Sequence, residues 1–268
     1  MALGTVKIGD VDVSRFIIGG NPFSGFGHQT PERDREMKRY YTVARIKETL
    51  KEAEALGITT FTGRADNHVV RMLMEYWDEG GAIQWLAQTC PGVGPLERGI
   101  TNSIGGGAKL CVFHGGEMDN RVLNNKVDDI PAAIQRVKDK GIPVGTAGHN
   151  PKVFEWAEEN ADFDFYLCSY YNSAHRDKDA EHVTGQAEWF NDEDRDIMVN
   201  VIQGLSKPVV HYKVMAAGRN DPKEAMEFVA AHLRAQDAAC VGVFMKDNPK
   251  MLEEDLRYLE QALEGKDN

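Results

Sequence analysis

Residues 130–169 read IPAAIQRVKDKGIPVGTAGHNPKVFEWAEENADFDFYLCS, and their rhythm sets the fold. The pattern predicts a helix over 130–140 that stops at Gly141, then a short apolar strand over 143–147. A second helix over 151–159 leads to another apolar strand over 163–169. Downstream, the alternation continues with a helix over 193–205, a strand over 208–213, a helix over 222–235, a strand over 239–245 and a closing helix over 249–263. Upstream, a small hairpin over 6–13 turns at Gly9-Asp10 and precedes a strand over 15–19. Ile46, Leu50 and Ala53 mark a helix over 43–56 that Gly57 ends. A strand over 58–62, a helix over 68–77, a strand over 83–89, a helix near 96–104 and a strand over 109–114 complete the first half. Eight strand–helix units in a row predict an α/β fold, a closed (β/α)8 TIM barrel with a short N-terminal β-hairpin, as one domain over 1–268. A doubly wound open sheet is the alternative.

The chain has 268 residues, close to the about 250 typical of such a barrel, and 42% are hydrophobic. Its 31 basic and 42 acidic side chains leave a net charge of −11, which argues against a nucleic-acid footprint and against an anionic membrane surface. The opening MALGTVKIGD lacks the regions of a secretion signal, and no apolar run approaches the roughly 18 residues of a membrane span. Cys90, Cys111, Cys168 and Cys240 form no Cys-x-x-Cys pair and read as free thiols in a reducing cytoplasm. The expected partner is a small-molecule substrate.

Three connections that follow strands are long: 20–42, 115–128 and 170–192. All would crowd the strand C-terminal face, where barrel enzymes keep their active sites. His28, His114, His149, His175, His182 and His211, six of the eight histidines, fall at or near that face. Imidazole suits metal ligation and proton transfer alike. His114, His149, His211 and Glu117 are therefore candidate ligands of a divalent metal ion, with hydrogen-bonded or substrate-binding histidines as the alternative. Lys213 lies in the apolar run KPVVHYKVMAAGR, 207–219. Desolvation there lowers an amine's pKa and suits it to act as a base or Schiff-base amine, unless a carboxylate pairs with it. Arg219 and Lys246 follow the seventh and eighth strands and could hold a phosphate. Aromatic pairs such as Tyr170-Tyr171 and Trp189-Phe190, near Asn21, Gln88, Asn150 and Asn172, are what a sugar cleft needs; compact surface loops are the alternative.

Set end to end, several short motifs resemble the aldo-keto reductase superfamily. They are VSRFIIGG at 13–20, GITTF at 57–61, LCVFH at 110–114, PVGT at 143–146, Tyr171-Asn172 and the closing segment 248–259. The resemblance implies the barrel fold and makes His114 the active-site histidine. It also has departures. Thr62 stands where the family has an aspartate, Asn67 where it has the catalytic tyrosine, and no lysine lies near 88–90. The cofactor-binding Ser-Asn after the fifth strand is replaced by Ala147-Gly-His-Asn150, and the strand-six glutamine by about Cys168. The fold carries over, while NADP is not expected.

The resulting expectation is an enzyme that abstracts a proton beside the carbonyl of a sugar-like polyhydroxy substrate, of lyase or isomerase type. His114 and His149 serve as acid, base or metal ligands, and Lys213 as base or electrostatic clamp. Asn21, Arg64, Asp66, Gln88, Tyr171, Asn172, Arg219 and Lys246 are the expected substrate-binding residues. A divergent NADP-dependent reductase and a non-catalytic sugar-binding or interaction protein are the alternatives.

Overall fold

Gly9, at φ +58°, turns the chain between β1 (Thr5–Ile8) and β2 (Val11–Ser14), which pair antiparallel. A Cβ on Gly9 would come within 2.7 Å of Pro143 Cγ, so the hairpin tip sits against the N-terminal end of a barrel strand. Val6, Ile8 and Val13 join a core cluster with Ile17, Leu86, Leu110, Phe165, Leu167 and Val210, and the hairpin thereby closes the bottom of the barrel. The computed structural model describes residues 3–176, 178, 180 and 188–266. Among them no helix is long and apolar enough to cross a membrane.

Beyond the hairpin, β3 (Phe16–Gly19) is followed by α1 (Pro31–Tyr40) and α2 (Val43–Ala55), then β4 (Thr60–Arg64) and α3 (Asn67–Asp78). Next come β5 (Gln84–Gln88), α4 (Leu96–Gly105), β6 (Leu110–Phe113), α5 (Gly115–Leu123) and α6 (Ile130–Lys138). The second half runs β7 (Val144–Gly148), α7 (Lys152–Asn160), β8 (Phe165–Ser169), α8 (Asp192–Gly204), β9 (Val209–Tyr212), α9 (Pro222–His232), β10 (Ala238–Gly242) and α10 (Met251–Lys266). Strands β3 to β10 form a closed parallel barrel in sequence order, with β10 returning to pair with β3. The barrel of eight strands with its N-terminal hairpin is the architecture that the sequence rhythm predicts.

Strand alternation sorts side chains into two layers. Leu167 and Val210 face the barrel interior, while their neighbours Cys168 and Val209 belong to the larger cluster between sheet and helices. All four cysteines are free thiols.

Among the described residues, the long connections 20–42 and 115–128 contain helices. In 20–42, α1 starts behind Thr30, whose hydroxyl accepts from the Arg33 N–H at 3.1 Å, with Pro31 in the first turn. Its residues, PERDREMKRY, are polar around almost the whole circumference, so no apolar period reveals it. In 115–128, α5 opens on Gly115-Gly116, a weak helix start by propensity. The strand expected over 58–62 instead enters the ladder at Thr60. Thr59 is drawn off by the hairpin, its N–H donating to Ser14 Oγ at 3.0 Å. That shift carries Arg64 to the strand's mouth end.

Candidate active site

A cavity of about 460 Å³ opens at the strand C-terminal ends, over β3, β4, β5, β8, β9 and β10. Asn21, Arg64, Gln88 and Lys213, all expected at the site, line it. Tyr212 lines it too, and sequence reasoning passed it over in favour of its neighbour His211. The alternation that sends Tyr212 toward the mouth sends His211 outward, into the helix layer.

Tyr212 leads into a chain of hydrogen bonds. His149 Nδ1 lies 2.7 Å from Asp119 Oδ2, so Nδ1 carries the ring proton and donates it to the carboxylate. His149 Nε2 then accepts from the Tyr212 hydroxyl at 3.2 Å. Asp119 is fully buried on α5 and also accepts from the backbone N–H groups of His149 and Asn150, each at 3.0 Å. Burial lowers the His149 pKa despite the carboxylate, and it raises that of Tyr212 well above the ordinary phenol value. The chain at rest is therefore phenol, neutral imidazole and carboxylate.

Lys213 follows Tyr212 at φ +58°, a left-handed backbone that turns the amine away from the strand path. Its Nζ lies 3.5 Å from Ser173 Oγ and 5.6 Å from the Phe190 ring centre. Burial, aided by Arg176 and Arg219 and opposed by Glu188 and Asp119, lowers its pKa to about 8. An amine so placed is a usable base at mildly alkaline pH.

His114 caps α5, its Nδ1 accepting from the Glu117 N–H at 3.3 Å, which leaves Nε2 to carry the proton. Burial, then coupling to the second imidazole, His149, and the nearby Arg176, Arg64 and Lys213, hold its pKa well below 6.5. It is a neutral donor in a positive field. Arg64 stacks on Phe26 at 4.7 Å and is steadied by Asp66 at 3.3 Å. Over the site, His28 bonds Glu188 at 2.9 Å and Asn21 at 3.4 Å, tying the connections after β3 and β8 together.

Other expected residues lie elsewhere. Asp66 does not line the cavity; it caps α3 through the Val69 N–H at 2.9 Å. Tyr171 is buried behind the cleft, its hydroxyl accepting from Asn220 at 2.8 Å, and the Asn172 N–H donates to Asp194. Arg219 stacks on Phe190 at 4.3 Å and donates to the carbonyls of Ala216 and His28, so it staples loops. Lys246 pairs with Glu36 in a separate outer groove beside α1. His175 packs on Trp189 at 5.0 Å, and His182 lies outside the described residues.

The four expected metal ligands do not assemble. His211 is buried between Tyr170 (2.9 Å) and Asp237 (3.3 Å), and Glu117 pairs with Arg121 at 3.0 Å. Both ring nitrogens of His149 are engaged. Among the described residues no group of three or more His, Cys, Asp or Glu side chains could hold a metal ion.

No protein-family model matches the chain, and no curated protein matches it in sequence. Solved structures do match. A Pseudomonas aeruginosa protein assigned to the aldo-keto reductases is 16% identical, with 98% of each chain covered and a TM-score of 0.66. The fold is that of the aldo-keto reductases. The glycerol dehydrogenase AKR11B4 of Gluconobacter oxydans is 13% identical over 98% of this chain and 96% of that one, with a TM-score of 0.56. A truncated 3-deoxy-D-arabino-heptulosonate 7-phosphate synthase of Thermotoga maritima is also 13% identical, over 98% and 92%, with a TM-score of 0.56.

Within this aldo-keto-reductase-like barrel, the positions that the resemblance assigns to nicotinamide make the following contacts. His149 is held by Asp119 and Tyr212, Asn150 Oδ1 accepts from the Lys152 N–H at 3.0 Å, and Cys168 is buried in the outer layer.

Proposed function

We propose that the protein is an enzyme that abstracts a proton beside the carbonyl of a sugar-like polyhydroxy substrate, in a lyase- or isomerase-type reaction that uses no nicotinamide. The observation that carries this reading is the Lys213 amine in the cleft next to the Tyr212–His149–Asp119 chain. Neutral Nζ takes the proton from carbon, the C–H electron pair enters the adjoining C–C bond, and the carbonyl oxygen takes the charge. Arg64, which lines the cavity, adds a positive charge beside that oxygen, while His114 caps α5 and is not among the residues that line the cavity.

The second proton moves on oxygen. Tyr212 passes its proton to His149 Nε2 while taking one from a substrate hydroxyl, and Asp119 stabilises the imidazolium so formed. One station acts on carbon and one on oxygen, which serves isomerisation and retro-aldol cleavage alike. Structural neighbours named for glycerol and for a heptulosonate phosphate support a polyhydroxylated substrate, as fold-level analogy.

The test is a panel of aldoses, ketoses and their phosphates in D2O, followed by proton NMR. Enzyme-dependent loss of the signal from the carbon beside the carbonyl, absent in Lys213→Met, is the expected result. No exchange with any member, together with NADPH oxidation in the presence of a carbonyl compound, would return the protein to the reductases.

A further inference from the structure

Asp255, on α10, lines the same cavity and is only 4% exposed. Other buried carboxylates have partners: Asp237 holds Arg234 at 2.7 Å, Asp119 holds His149, and Asp34 accepts from the Gly27 N–H at 2.8 Å. Asp255 makes no hydrogen bond or ion pair with any described residue. The Arg33 guanidinium, which also lines the cavity, is engaged through both terminal nitrogens. Arg33 pairs with Glu36 and Asp247 and lies over the Phe244 ring at 4.3 Å. The cavity lining also includes the apolar Met251, Phe244, Val241 and Pro22, together with Asp247.

A nearly buried carboxylate that reaches water only through the cavity and has no counter-charge is costly, and a ligand that brings positive charge removes the cost. Arg64 and Lys213 line the same cavity with the opposite sign. The cleft is therefore dipolar. We propose that its α10 wall is a subsite for a protonated amine, so that the substrate is an aminated polyhydroxy carbonyl whose anionic or carbonyl end meets Arg64 and Lys213. This rests on the cleft being the substrate site. A hydroxyl could also bond Asp255, but it would leave the charge uncompensated. Consistently, burial and the adjacent Glu254 push the Asp255 carboxyl up to about 7, a shift that a bound cation would reverse.

The probes are ω-amino acids from aminopropanoate to aminooctanoate, each compared with its ω-hydroxy acid, with binding read by calorimetry on the intact protein. At one chain length the amino acid is expected to bind about tenfold or more tightly than its hydroxy counterpart. Asp255→Asn, isosteric and no less stable than wild type, brings that ratio to about one. Asp255→Glu moves the preferred probe toward a shorter chain. A ratio near one at every length in wild type, no measurable binding by any probe, or a preference that survives Asp255→Asn would each overturn the proposal. Binding is read at equilibrium, so a lost amine preference with intact deuterium exchange removes only the subsite. The reverse result removes only the proton-abstraction reading.

Discussion

Lys213→Met removes the amine while keeping an unbranched side chain of similar length. The φ of +58° strains lysine and methionine alike, so backbone cost cancels from the comparison. What remains is the ammonium. Burial lowers its pKa from 10.5 to about 8, which at neutral pH corresponds to roughly 3 kcal/mol against the folded state. Water reaching Nζ through the open cleft reduces this to on the order of 1–3 kcal/mol. For a domain of this size each kcal/mol moves Tm by about 2–4 °C, so the variant should melt about 2–12 °C higher at pH 7. The folded-state pKa is the lower one, so the cost is fully present below about 8. It fades as pH rises toward 10.5, and the gap between the two proteins closes across that window. Calorimetric melts at the two ends of the window give both numbers. A variant that melts several degrees below wild type at pH 7 would refute the reasoning and make Lys213 a structural cation.

Asp119→Asn should cost about 2–4 kcal/mol in urea unfolding, because an amide NH2 would then face donors that a buried carboxylate now accepts. Tyr212→Phe loses the 3.2 Å hydrogen bond to His149 and a longer one of 3.5 Å to the Gly148 carbonyl, and should cost no more than about 1.5 kcal/mol. Its product formation should fall by about 10²–10⁴ while exchange at carbon persists, as NMR of the same reaction would read. Gly116→Ala would drive a Cβ into the Ala180 carbonyl oxygen and displace that group. It should lower stability by about 1–3 kcal/mol, visible in thermal melts.

The barrel was legible because each strand–helix unit repeats one local pattern, and local pattern is what a sequence displays. The site is less so, since it forms between units. Lys213 stood out because a charge inside an apolar run conflicts with its surroundings. Tyr212 did not, because a tyrosine in a strand is unremarked until the alternation relative to His211 is fixed. Asp119 was visible as a carboxylate just beyond His114, but in a segment read as loop; only once α5 exists does its carboxylate point back at β7 and hold His149. Tyr171 and Arg219 were drawn toward the cleft by their position after strands. Packing took them elsewhere, Tyr171 onto Asn220 and Arg219 onto Phe190. The absence of any partner for Asp255 among the described residues cannot be seen from its neighbours in sequence, since partners come from other units.

The most direct test of the central claim is the pH dependence of deuterium exchange on whichever carbonyl substrate the panel yields. With Lys213 as the base on carbon, the rate should rise through an inflection near pH 8 and vanish at every pH in Lys213→Met. A rate flat between about pH 6.5 and 9.5, or exchange that survives the loss of the amine, would contradict it.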